Sequence, residues 1–201
     1  MDNKKVKGYA YGVIASVSYG LNPLFALPLY ASGIRVDSVL FYRYVFALLF
    51  LAVMMKMSGQ SFALKRNEIL PVAVMGLLFS FSSLFLFQSF NYMDAGIAST
   101  ILFMYPVLVA VIMAVFFKER LSVVKIASIA TAFVGISMLY KGEGGATLSM
   151  TGVCLVLMSS LTYALYIVGV NRSSLKEMPG LKLTFYSILF GSLVYIVRLR
   201  G

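Results

Sequence analysis

The sequence contains no histidine and no tryptophan, a single cysteine, and only 7 acidic residues in 201. Each scarcity excludes something. Without histidine there is no imidazole general base and the commonest metal ligand is missing, which counts against an intramembrane enzyme. No catalytic, cofactor or metal site is expected. Cys154 alone forms no internal disulfide and says nothing about redox compartment. Charged residues make up 12% of the chain against 61% hydrophobic, and the mean hydropathy is +0.92. Soluble domains run at roughly 45–50% apolar and 25% charged. The composition is therefore that of an integral membrane protein, with the lipid bilayer as its first partner. A net charge of +10 invites a nucleic-acid reading, but the cations stand singly between apolar runs rather than in one patch. Nucleic acid is not an expected partner.

What is present is a succession of long apolar runs. About 20 apolar residues at 1.5 Å rise cross the hydrocarbon core of a bilayer. Runs at about 8–30, 38–57, 69–91, 95–117, 122–141, 150–171 and 181–198 predict seven spans with short connections, an all-α polytopic membrane helix bundle. The first run is too long for the core of a signal peptide and holds Pro23 and Pro28. Twelve of the 17 Lys and Arg residues fall on alternate connections: Lys4, Lys5 and Lys7; Lys56, Lys65 and Arg66; Lys118, Arg120 and Lys125; Arg172, Lys176 and Lys182. Short loops rich in Lys and Arg stay cytoplasmic, so a cytoplasmic N-terminus in the cell membrane is expected. Tyr30, Tyr92 and Tyr140 fall at the opposite ends and take the anchoring place of tryptophan. Within the fourth run, Pro106 lacks an N–H and crowds the carbonyl of Leu102. That span should bend, and the carbonyl should need a partner from a neighbouring helix or a wet cavity.

A shift of 144 residues lays the start of the chain on its end. Gly8 meets Gly152, Ser16 meets Ser160, Tyr19 meets Tyr163 and Phe41-Tyr42 meet Phe185-Tyr186, without a gap. A unit of five spans is odd, so its repeat enters from the opposite side, as in transporters with inverted repeats. On this reading residues 1–141 form one complete five-helix repeat and 150–201 begin a second. Carrying the offset on from Tyr140 puts the end of a second repeat beyond Gly201, and the chain is expected to be a fragment of a ten-helix protein. Spans one to five should then pack well. Spans six and seven should be under-contacted along one side, exposing Ser159, Thr162 and Ser192.

ASTILFMYP at 98–106, KERLS at 118–122 and FVGISML at 133–139, in this order within five spans, resemble the EamA-type members of the drug/metabolite transporter superfamily. The matching positions are Ala98, Pro106, Glu119, Arg120, Ser122 and Gly135, with Arg43 in span two. The resemblance implies ten spans, both termini cytoplasmic, and the movement of small metabolites, amino-acid-like or other polar solutes, with efflux as one direction. It also implies that Glu119 and Arg120 fix the cytoplasmic ends of spans four and five.

Candidate residues follow from polarity inside the spans. Arg43 lies about one turn inside span two, where an arginine costs at least about 2.5–3.5 kcal/mol at a helix centre. It either binds an anion or lines a pathway, or it snorkels to the headgroups. Asn22 beside Pro23, and Gln88 and Asn91 in span three, are amides that must find partners. Tyr105 and Pro106 in span four and Tyr163 in span six complete the expected pathway wall. Asp94 is placed to N-cap span four. Glu119 opposes the helix dipole at the end of that span and is flanked by Lys118 and Arg120, so these are structural or gating candidates. A small-solute transporter working by alternating access accounts for these features best. The alternatives are a membrane-embedded enzyme, against which the missing histidine counts, and a seven-helix receptor or structural protein, which a five-span repeat fits poorly.

Overall fold

The computed structural model describes residues 3–119, 127, 130, 131, 134 and 149–199. Among them there are helices and turns but no strand, and the protein is an all-helical, multi-pass membrane protein. Six stretches are long and apolar enough to cross a bilayer: Gly8–Ala31, Val36–Met57, Arg66–Ser89, Ala95–Phe117, Met150–Arg172 and Gly180–Leu199. The fifth predicted span, 122–141, lies almost wholly outside the described residues, as do Arg120, Ser122 and Gly135.

The chain divides into two units, Met1–Arg35 and Val36–Gly201. The first holds α1 (Asn3–Gly20) and α2 (Asn22–Ala31), with the break at Leu21. Pro23 sits in the first turn of α2, where the missing N–H would have had no helical partner. Gly33, at φ +82, ends this segment in a left-handed conformation that a side chain would resist.

The second unit holds α3 (Val36–Met57), α4 (Arg66–Ser89), α5 (Ala95–Leu102), α6 (Tyr105–Phe117), α7 (Met150–Arg172) and α8 (Gly180–Leu199). Its centre is α4, which lies against both α7 and α8; α3 flanks α8, and α5 and α6 flank α7. The crossing of α4 and α8 uses small residues at four-residue spacing, Gly76 with Ser80 and Ser187 with Gly191. A Cβ on Gly191 would stand 2.0 Å from Ser80 Oγ and 2.8 Å from the Gly76 carbonyl oxygen, so only glycine lets the two backbones come this close. The α4–α7 contact is tied by a reciprocal pair. Ser159 Oγ donates to the Ser82 carbonyl at 2.7 Å, and Ser82 Oγ donates to the Ser159 carbonyl at 3.0 Å.

The packing expected for spans six and seven is corrected by this arrangement. In the most apolar part of each span, 28% of residues are buried in α7 and in α8, against 17% in the fourth span and 6% in the first. Ser159 and Ser192 are buried, and Thr162 is half-buried with its hydroxyl on the carbonyls of Met158 and Ser159. The reason is that α7 and α8 supply the partners of α4 directly.

Candidate functional site

The fourth predicted span is two helices. Asp94 caps α5, its Oδ1 accepting from Gly96 N at 2.8 Å and Ile97 N at 3.3 Å. The helix stops at Leu102, turns through Phe103 and Met104 with tight bonds to Thr100 and Ile101, and restarts at Tyr105 with Pro106 in the first turn of α6. The proline is thus where a helix tolerates it best. Ser160 Oγ, on α7, donates to the Leu102 carbonyl at 3.1 Å, supplying in a buried setting the partner that proline denies it.

This break sets Tyr105 against Tyr163 of α7, ring centroids 4.8 Å apart and nearly perpendicular. Tyr163 stacks with Tyr166 at 6.0 Å, and both meet Phe79 of α4, at 6.4 and 5.4 Å. Phe79 in turn reaches Tyr44 of α3 at 6.4 Å, and Tyr44 meets Tyr195 of α8 at 4.7 Å. Tyr105, Tyr163, Tyr166 and Phe79 are half-buried, whereas Tyr44 and Tyr195 are buried. The buried end is saturated with hydrogen bonds. Tyr195 donates to the Ser80 carbonyl at 2.8 Å, Ser80 Oγ to Tyr44 at 3.3 Å, and Tyr44 to Ser83 Oγ at 3.2 Å. The half-buried end therefore presents π faces from three helices and phenol hydroxyls from two of them. Among the described residues, no three His, Cys, Asp or Glu side chains gather as metal ligands do.

The remaining candidates lie elsewhere. Arg43 is exposed and sits over the Phe87 ring, 5.1 Å from its centroid. Gln88, half-buried, follows Phe87 on α4, and Asn91 is exposed in the turn after that helix. Asn22, half-buried, opens α2 in the first unit. Glu119 pairs with Arg172 of α7, whose guanidinium also lies 4.5 Å from the centre of the Phe117 ring. Along the chain Glu119 stands among adjacent lysines and arginines, and its partner in the fold is Arg172, 53 residues on. A basic residue closing α7 on the same predicted side was the available signal. Phe79 also went unsingled, because one phenylalanine among 16 carries no mark in sequence.

Residues 6–141 match the model of the EamA-like transporter family. The chain belongs to this family. Similar proteins include the uncharacterized transporter YxxF of Bacillus subtilis (strain 168), 29% identical over 131 residues, covering 63% of this chain and 42% of that protein. YvbV of the same organism, also an uncharacterized transporter, is 28% identical over 131 residues, covering 62% of this chain and 43% of the relative. An uncharacterized transporter of Archaeoglobus fulgidus is 26% identical over 102 residues, covering 51% and 36%. The matched stretch of this EamA-like chain thus spans less than half the length of each relative. No solved structure matches it.

Proposed function

We propose that this chain forms part of a path by which small polar solutes, amino-acid-like or related, cross the cell membrane. The half-buried aromatics around Tyr163 are one wall of that path. The observation that supports this most is the meeting of Tyr105 and Tyr163 beside the interruption between α5 and α6. Interrupted spans that bring polar groups together inside the membrane are where secondary transporters tend to hold solutes. The repeat at 1–141 and 150–201 supports alternating access between inverted halves. Arg43, Gln88 and Asn91 are further lining candidates of this unit, and Asn22 is a candidate of the first unit by itself. Asp94 and Glu119 hold the ends of their helices, Arg120 is a further structural or gating candidate, and the N-terminus is cytoplasmic.

The test is accumulation of labelled amino acids and other polar metabolites in cells expressing the chain against cells without it. Tyr163→Ala, Asn22→Ala and Gln88→Leu should each lower the difference several-fold while membrane insertion stays intact. If all three behave as the unsubstituted chain, the wall lies elsewhere and these side chains only pack helices together.

A further inference from the structure

We infer that Arg43 is the anchor of an oxyanion site, taking the carboxylate or phosphate of a bound molecule against the Phe87 ring. Arg43 is the eighth residue of α3 and lies about 10 Å inside the helix start at 1.5 Å per residue. A cation at that depth needs a compensating partner. Two other helical arginines of this unit have one: Arg172 pairs with Glu119, and Arg198 pairs with Asp37, Nε to Oδ1 at 2.6 Å. Asp37 is the one acid of α3, and it is buried in the contact with Arg198. Among the described residues Arg43 meets no carboxylate; its neighbour is the face of Phe87. A ring face orients the guanidinium but leaves its N–H fork free to accept two oxygens side by side. The amides of Gln88 and Asn91 follow Phe87 at the end of α4, so neutral donors stand on the same segment as the ring.

The chemistry is shared by two sources, an anionic lipid headgroup and a solute carboxylate. It deepens the Arg43 part of the transport reading but is measured as binding, so its failure leaves the accumulation test standing. The full chain is placed in phosphatidylcholine nanodiscs, and its thermal midpoint is followed by circular dichroism. Benzoate is compared with benzamide at equal ionic strength, and phosphatidylglycerol with added phosphatidylcholine. At least one anion should raise the midpoint where its neutral counterpart does not. Arg43→Gln should abolish that difference, and Arg43→Lys, which keeps the charge but not the fork, should retain part of it. Arg198→Gln should keep the response, because its charge is already taken up by Asp37. A response to benzoate alone assigns the site to solute, and one to phosphatidylglycerol alone assigns it to lipid. Equal responses to charged and neutral probes in the unsubstituted chain overturn the inference, even should Arg43→Gln fail to fold. So does an anion response that survives Arg43→Gln or that Arg198→Gln removes equally.

Discussion

At the scale of single residues, the hydroxyls carry most of the specificity. Ser160 answers the Leu102 carbonyl that Pro106 leaves over. Hydrogen bonds between helices in membranes average about 0.6 kcal/mol and reach about 1.7. Ser160→Ala should therefore cost about 1 kcal/mol, above that average, because the carbonyl is buried and has no helical donor. Thr162→Ala, whose hydroxyl bonds only to its own helix, should cost less. Unfolding in mixed micelles, with the two variants side by side, checks the order. Gly191 makes the opposite kind of demand. An added Cβ would meet Ser80 Oγ and the Gly76 carbonyl at distances that real contacts do not reach. Gly191→Ala should destabilise by about 1–3 kcal/mol through overpacking. Adding Ser80→Gly should recover part of that loss in the same assay, and no recovery would mean the backbone clash with Gly76 dominates.

At the scale of elements, two ion pairs join helix ends, and they are not alike. Arg172 and Glu119 are 39% and 41% exposed, the class of pair worth about 0.2–1 kcal/mol. Arg198 is 44% exposed, but its partner Asp37 is only 7% exposed at the side chain. Removing the exposed member takes a charged partner from a buried carboxylate, whereas removing the buried one leaves a cation that water can reach. Arg198→Gln should thus cost more than Asp37→Asn, by about 1–2 kcal/mol. Equal losses in denaturant unfolding would show that the carboxylate is solvated when its partner goes.

At the scale of the whole molecule, the ties within the second unit agree with one alternation of helix ends. Glu119 and Arg172, together with Lys182 and the Ala63 carbonyl it donates to, join ends expected on one side. Asp37 and Arg198 join ends expected on the other. With the cations concentrated on the first side, single cysteines at Lys65, Lys118 and Lys176 should resist an impermeant thiol reagent in intact cells. One at Tyr92 should react, all in a Cys154→Ser background. Labelling at Lys118 without permeabilisation would reverse the orientation.

The class of the protein and the positions of its described spans were readable from composition and hydropathy, because in lipid the length of an apolar run is itself the structural requirement. Asp94 as a cap and Leu102 as a carbonyl in need were readable too, since both are matters of a few adjacent residues. Which helix meets which was not. In water a polar face marks the outside of a helix, but in a bilayer the outer face of a span is as apolar as its core. Nothing in the pattern of α4 therefore announced that its Gly76 and Ser80 would meet α8 or that its Ser82 would meet α7. Arg198 illustrates the same division. Along the chain it is a cation on the side expected to have few, and only the tertiary structure places it on Asp37, 161 residues away.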